Sequence, residues 1–365
     1  MIKILHGADF HLDSPFESLP EEKAAARRAE QRQSLEKMAQ LAEREDVDLV
    51  LLSGDLLDSG RSYYETADVL LKTLGAMAVP VFIAPGNHDY YSHTSPYSIL
   101  KFTNNVHVFT TKEVEKVDLP DMPVTVWGAA FTGEVSGPLL GGMGRVKSSN
   151  RVNLMVMHGA VGEPGSVYNP IEEKEIARTG LDYLALGHKH TYSGFKRAGD
   201  SVYAYSGCPE GRGFDETGEK GVIIAEVSKG KVKGRFVPLA KRTYEVLRVD
   251  LTEADSVERA VMAAIPPSAG QDIFKIILEG EFSGKIDLGK ISDDVASKFY
   301  HVTVKDITRP RRDIWAQAEE DTLKGLFLRK MRTKFEQGDE AEREKVVLAV
   351  RYALAAMERG EEWRT

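Results

Sequence analysis

Short apolar runs alternate with longer amphipathic stretches over the first two-thirds of the chain. The runs fall at residues 2–5, 49–52, 79–84, 124–129, 154–157, 183–186, 202–205 and 222–227. They are brief and rich in β-branched or aromatic side chains, as strands are. Between them, residues 21–45 and 64–78 place apolar side chains at helical spacing, for instance Leu35, Met38, Leu41 and Ala42, with charged residues on the remaining positions. Alternation of this kind predicts an α/β domain over residues 1–240. The texture then changes. Residues 241–308 read as a small α+β capping domain, with strands at 244–251, 273–278 and 301–307 and helices at 254–265 and 293–299, the first helix stopped by Pro266 and Pro267. Residues 309–365 read as a basic, proline-containing hinge followed by a helical partner-binding tail. Its helices are expected at 316–335 and 341–358, separated by Gln337, Gly338 and Asp339, a stop signal followed by an N-cap.

Composition narrows the classes. With 365 residues, 42% hydrophobic and 28% charged, and a mean hydropathy of -0.30, the chain reads as a soluble protein of more than one domain. A single cysteine, Cys208, rules out a disulfide framework or a cysteine-based zinc site and suits a reducing cytosol. The opening apolar run is interrupted at His6 and Asp9, so neither a signal peptide nor a membrane span is expected there, and a cytoplasmic location is. A net charge of -8 gives no global field that would draw in nucleic acid. A DNA substrate would need local basic patches or bound cations.

The chemistry lies where the polar residues fall relative to the strands. Asp9 and His11 follow the first run, Gly54 and Asp55 the second, and Gly86-Asn87-His88-Asp89 the third; His158-Gly159 and Gly187-His188-Lys189-His190 follow later ones. In α/β sheets, ligand sites assemble at the carboxyl ends of strands, so these distant clusters can converge. Residues two apart in an extended segment point to one side, which lets Asp9 and His11, and His188 and His190, each act as a pair. Five of the nine histidines fall in these clusters. A lone Asp-x-His or His-Gly is more often a capped turn than a ligand pair, but all five clusters occur together, each after a strand. Oxygen and imidazole donors without thiolate suit manganese, iron or zinc, and the joint reading is a two-metal site.

In order and spacing, these motifs resemble those of the calcineurin-like metallophosphoesterases, a family whose fold is a two-sheet sandwich flanked by helices. Within it they are similar to the SbcD-type DNA repair exonucleases. The stretch from Asp9 to Leu19 is most similar to the YhaO-like branch, and Ser206-Gly207-Cys208-Pro209-Glu210, Phe214-Asp215-Glu216 and Lys220-Gly221-Val222 resemble the family's closing strand-turn-strand. The resemblance implies that Asp9, His11, Asp55 and His190 hold one divalent metal, Mn2+ before others, and that Asp55, Asn87, His158 and His188 hold the second, with Asp55 bridging. It implies that His88 faces the phosphate, stabilising the developing charge or protonating the leaving oxygen, while Asp89 holds its ring. Asp58, at a position where some relatives carry histidine, is expected to stand behind the ligands.

The activity implied is exonuclease action on DNA ends in repair, with endonuclease action beside it. The partners implied are DNA and an SMC-like ATPase whose coiled coil the tail would grip, and relatives commonly form homodimers. Leu57-Asp58-Ser59-Gly60 and Asp89 depart from the protein-phosphatase pattern of the same superfamily, which favours a nuclease. The alternatives are a phosphoesterase for a small nucleotide or phosphoprotein, and a non-catalytic scaffold for DNA or a partner. Tyr90, Tyr91 and Tyr97 are weaker candidates for stacking on a base, and Arg309, Arg311 and Arg312 for contacting phosphates; a packed loop and a solvated linker compete with those readings. His6, His93, His107 and His301 have no clustered partners and read as structural.

Overall fold

The computed structural model describes residues 1–60, 62–146, 150–311 and 313–361. The chain divides into two compact units, one comprising Met1–Val246, Pro267–Lys275 and Lys298–His301, the other Leu247–Pro266, Ile276–Ser297 and Val302–Thr365.

The first unit carries two six-stranded sheets. One runs in the order Lys231–Pro238, Gly221–Ser228, Ile2–Gly7, Leu49–Leu52, Val81–Ile83, Val106–Val108. The last four of these are parallel, and Gly221–Ser228 closes antiparallel against Ile2–Gly7 with Ile4 opposite Ala225. The other runs Lys196–Ala198, Ser201–Tyr205, Tyr183–Gly187, Val152–His158, Val124–Gly128, Glu115–Asp118, with its four central strands parallel.

Alternation along the strands explains the layering. Ile4, Leu51 and Phe82 from the first sheet and Val126, Leu154 and Ala185 from the second form one buried cluster between the sheets. Leu5, Val50 and Leu52 point the other way and pack on Leu35, Met38 and Leu41 of helix Glu21–Arg44 and on Leu70 and Leu74 of helix Tyr64–Gly75. Met155, Met157, Leu184 and Leu186 meet Ile176 of helix Glu173–Thr179 on the far side. Each such side chain, fully buried, contributes about 1.5–3 kcal/mol. The result is the helix-flanked two-sheet sandwich expected from the motifs.

One polar tie crosses the interior. His6 Nε2 lies 3.1 Å from the Leu186 carbonyl, which can only accept, so the proton sits there, and Nδ1 accepts from the Tyr183 hydroxyl at 3.0 Å. Burial lowers the His6 pKa to about 3, keeping the ring neutral.

Several elements differ from the sequence expectation. Val106–Val108, Glu115–Asp118, Lys196–Ala198 and Lys231–Pro238 are strands that no apolar run announces, because all four are edge strands or next to solvent and carry polar side chains.

A three-stranded sheet in the order Tyr244–Asp250, Ile273–Glu279, His301–Asp306 has most of its residues in the second unit. The helices of that unit start where a side chain caps them. Ser256 accepts from the Arg259 amide ahead of Val257–Ala264, and Asp287 accepts from Lys290 ahead of Leu288–Val295. Thr322 accepts from Gly325 ahead of Leu323–Gln337, so that helix begins later than residue 316. Leu323–Gln337 packs on Glu340–Glu361 around buried Ala318, Leu328 and Val350.

Candidate metal centre

The site forms at the carboxyl ends of the parallel strands of the first unit, on loops whose backbone is unusual. Asp9 (φ 54°), His11 (φ 43°), Asp55 (φ 50°) and His188 (φ 108°) all occupy positive φ without being glycine. Such conformations cost on the order of 1–3 kcal/mol each and persist only where the surroundings over-determine them. Here the loop after Ile2–Gly7 is laced to the loop after Leu49–Leu52: Asp9 N donates to Gly54 O at 3.0 Å, His11 N to Asp55 O at 2.9 Å and Leu12 N to Leu56 O at 2.9 Å. Gly86 is required by close approach, since a Cβ there would lie 2.2 Å from Asp55 Oδ1.

The side chains converge. Ligand atoms of Asp9, His11 and His190 lie within 4.8 Å of one another, as do those of Asp9, Asp55 and His158, and those of His11, Asp58 and His88. Asp55 Oδ2 is 3.6 Å from His11 Nε2 and 3.4 Å from His158 Nε2. Asn87 Oδ1 is 2.9 Å from His158 Nε2, and the His188 ring centroid is 5.4 Å from that of His158. His188 stands beside the cluster without falling in any of the three-ligand groups found among the described residues, and its amide donates to Asp9 Oδ1 at 3.0 Å.

Whether this set suits cations is decided by where the imidazole protons sit. His11 Nδ1 faces Asp58 Oδ1 at 3.1 Å, His190 Nδ1 faces Glu216 Oε1 at 2.6 Å, and His158 Nδ1 faces the Ser53 carbonyl at 2.9 Å. Carboxylates and carbonyls only accept, so each Nδ1 carries its proton, the Glu216 oxygen at 2.6 Å lying closer to His190 Nδ1 than the Arg212 Nη2 at 3.0 Å, and each ring in its neutral form turns an Nε2 lone pair inward. Those lone pairs meet carboxylate oxygens and one another, His11 Nε2 lying 3.2 Å from His190 Nε2. Such a concentration of acceptors needs positive charge among them, and the donor set fits divalent cations of the manganese, iron or zinc type. Electrostatics agree for His11 and His188 and run the other way for His190. Burial holds His11 and His188 down to about 4. Burial also pushes Asp9 up to about 6, against the pull of His158 and His190. For His190, burial opposes the charged form, but the hydrogen bond to Glu216 and the charge of Asp9 raise its pKa above the ordinary range.

Not every expected residue lands where the sequence put it. His88 is exposed and lines a cleft of about 390 Å³ together with Asp58, Ser59, Gly60, Asn87, Tyr90, Glu134, Val135 and Tyr168. Its Nδ1 donates to the Asp58 carbonyl at 3.1 Å, which leaves Nε2 to the cleft. Asp89 does not hold that ring. It is fully buried and accepts from the amides of Asp55 (3.1 Å), Leu56 (2.7 Å), Leu57 (3.2 Å) and Gly86 (2.8 Å) and from the Tyr97 hydroxyl (2.5 Å). It therefore shapes the Asp55 loop.

Tyr97 is thereby committed to the interior, and Tyr91 packs against two core clusters, so neither offers a free ring; Tyr90 is the tyrosine of the three that reaches the cleft. In the second unit, Arg309 pairs in a bridge with Glu281, and Arg311 donates to the Thr252 carbonyl at 2.6 Å. These two residues are folded onto that unit where a free hinge was expected. Arg312 lies outside the described residues.

Two participants were not anticipated. Glu216, buried, orients His190, and Arg212 joins Glu216 to Asp58, with Nη2 at 2.8 Å from Glu216 Oε1 and Nη1 at 3.0 Å from Asp58 Oδ1. Glu216 stood in the quoted Phe214-Asp215-Glu216 segment, but nothing in its spacing ties it to a histidine far back in the chain.

Residues 2–192, more than half of the chain, match the family described as calcineurin-like phosphoesterase. The chain is 27% identical over 267 residues to the uncharacterized metallophosphoesterase YhaO of Bacillus subtilis, covering 70% of this chain and 65% of that protein, just under two thirds of its length. It is 25% identical over 305 residues to the DNA double-strand break repair protein Mre11 of Saccharolobus solfataricus, covering 77% of this chain and 76% of that one. It is 25% identical over 270 residues to the D component of the nuclease SbcCD of B. subtilis, covering 63% and 67%. Among the described residues, no helix is long and apolar enough to cross a membrane.

Proposed function

The chain belongs to the calcineurin-like phosphoesterase family, and from that premise we propose that it is a two-metal-dependent DNA nuclease, an exonuclease on DNA ends with endonuclease action as a second capacity. Its coarser activity follows from the family: it is a metal-dependent hydrolase of phosphoesters. The observation that carries the two-metal reading is Asp55 Oδ2 standing between the inward Nε2 atoms of His11 and His158, at 3.6 and 3.4 Å. A carboxylate so placed suits a bridge between two ions. The reading of DNA as substrate is supported by the names of the Mre11 and SbcCD relatives.

In this proposal Asp9, His11, Asp55 and His190 hold one cation, and Asp55, Asn87, His158 and His188 hold the other, with Mn2+ the preferred metal. The chemistry such cations supply when bound is neutralisation of the phosphodiester charge and activation of water. His88, fixed through Nδ1 to the Asp58 carbonyl, keeps Nε2 for exchanging a proton with the leaving sugar oxygen. Asp89 contributes by holding the amides that shape the Asp55 loop. Tyr90, at the cleft, is the remaining candidate for contact with a base. The tail helices are proposed to dock on the coiled coil of an SMC-like ATPase, since Leu323, Leu326, Leu348 and Tyr352 are exposed on them.

The test uses metal-stripped protein reconstituted with Mn2+ and offered end-labelled duplex DNA, a chromogenic phosphodiester and a phosphopeptide. Shortening of the labelled duplex at a rate well above hydrolysis of the other two supports the nuclease. Turnover of the small diester or the phosphopeptide alone would replace it with the narrower phosphoesterase, and DNA binding without any hydrolysis would leave a scaffold.

A further inference from the structure

The two sides of the ligand cluster are held by different chemistry. His158 gives its Nδ1 proton to a neutral acceptor, the Ser53 carbonyl. His11 and His190 give theirs to carboxylates, Asp58 and Glu216. Those carboxylates are themselves tied together. The Arg212 guanidinium reaches Asp58 Oδ1 through Nη1 at 3.0 Å and Glu216 Oε1 through Nη2 at 2.8 Å and Nε at 3.2 Å, while the Arg212 amide donates to Glu216 Oε2 at 2.8 Å. Ser14 Oγ adds a further donor to Asp58 Oδ1 at 3.0 Å. Each nitrogen of the guanidinium is therefore engaged at least once, which makes Arg212 a tie within the site.

We infer that Asp58, Arg212 and Glu216 form one brace of positioning residues that makes the Asp9–His11–His190 side of the cluster the tighter of two unequal cation sites. The inference rests on the two-cation reading given above and adds an order of loading to it. Its physical basis is twofold. An imidazole whose Nδ1–H points at a carboxylate is a stronger donor at Nε2 than one pointing at an amide carbonyl. The brace also fixes two rings at once: the carboxylates set the planes of His11 and His190, and Arg212 keeps the carboxylates from turning toward solvent. Asp58 and Arg212 remain about a quarter and a fifth exposed at their side chains, so without the mutual ion pair each would gain by rotating outward.

The inference is tested by titrating Mn2+ into the metal-stripped full-length chain and following free Mn2+ by electron paramagnetic resonance. Wild-type protein should take up two equivalents in two classes. Glu216→Ala should weaken the tighter class by about 10–100-fold and leave the weaker one near its original value, the scale seen when a partner of a ligating histidine is removed. Glu216→Gln, which keeps an oxygen for the His190 Nδ1–H, should recover most of that loss. Asp58→Ala, at the more exposed end, supplies a second variant if Glu216→Ala fails to fold, and should also act on the tighter class; His158→Ala should act on the weaker.

If wild-type protein binds no Mn2+, the two-cation reading itself fails. If it binds two equivalents but both alanine variants leave the constants unchanged, or weaken the two classes equally, the brace inference is overturned while the two-cation reading stands.

Discussion

Around Asp9, His11, Asp55 and His188, non-glycine residues hold left-handed dihedrals and carboxylates are buried against imidazoles. In helices Leu323–Gln337 and Glu340–Glu361 the backbone is regular and the irregularity is one of surface: Leu323 is 79% exposed and Tyr352 71%. Both arrangements oppose stability, but differently. Burying unpaired charge costs several kcal/mol per ion unless a partner arrives. Exposing a leucine forgoes only about 1.5–3 kcal/mol of burial. The first region is thus strongly committed to a charged occupant. The second tolerates its exposure as it stands and offers an apolar face for a partner.

The sharpest way to break this contrast is at Asp55. Replacing it with alanine removes the carboxylate that faces both His11 and His158, so hydrolysis should be abolished and Mn2+ uptake should fall in both classes. Elemental analysis of dialysed protein measures this, and full metal content in Asp55→Ala protein would end the bridging assignment.

A smaller effect is expected at His88, which lines the cleft without joining the inward Nε2 set. His88→Ala should lower kcat by a factor on the order of a hundred, the range of a positioned acid-base group, with metal content unchanged. Loss of metal in this variant would make His88 a ligand and redraw the division of roles.

These two regions also differ in how far the sequence discloses them. Asp9, His11, Asp55, Asn87, His158, His188 and His190 were visible because each follows a strand whose apolar run is unmistakable, and strand ends converge. Glu216 and Arg212 were not, because they act on side chains contributed by other loops and carry no periodic signal. Asp89 was misplaced for a local reason. A carboxylate next to a histidine invites pairing with it, but here His88 points to the exposed cleft while Asp89 turns inward to four amides and Tyr97. In the tail, residues 316–322 have good helix-forming composition. There, packing of Trp315 and Ala318 against Leu328 and Val350, together with the Thr322 cap, overrides propensity.

Asp89 gives the third test, now on stability. Asp89→Asn keeps one acceptor oxygen but strands donors that the second oxygen served, at about 1–3 kcal/mol for each one left unpaired. Thermal unfolding should therefore drop by several degrees, with activity at low temperature falling less than in His88→Ala. An unchanged melting temperature combined with a loss of turnover as deep as that of His88→Ala would return Asp89 to the role of orienting the His88 ring.

The smallest effect on the isolated chain should come from the tail. Leu326 and Leu348 are exposed, at 44% and 54%, and lie outside the buried group of Ala318, Leu328 and Val350. Changing both to aspartate removes apolar surface that the fold does not use, so melting temperature and Mn2+-dependent hydrolysis should stay within error, surface substitutions being worth no more than about 0.5 kcal/mol. Binding to a coiled-coil ATPase, measured by co-purification, should be lost, because two charges placed on an apolar docking face would have to be desolvated without partners. If co-purification persists in the double variant, the exposed leucines are not the docking face. If instead the protein unfolds, they contribute to the fold itself, and the contrast between a site committed to an occupant and a surface that merely offers one no longer holds.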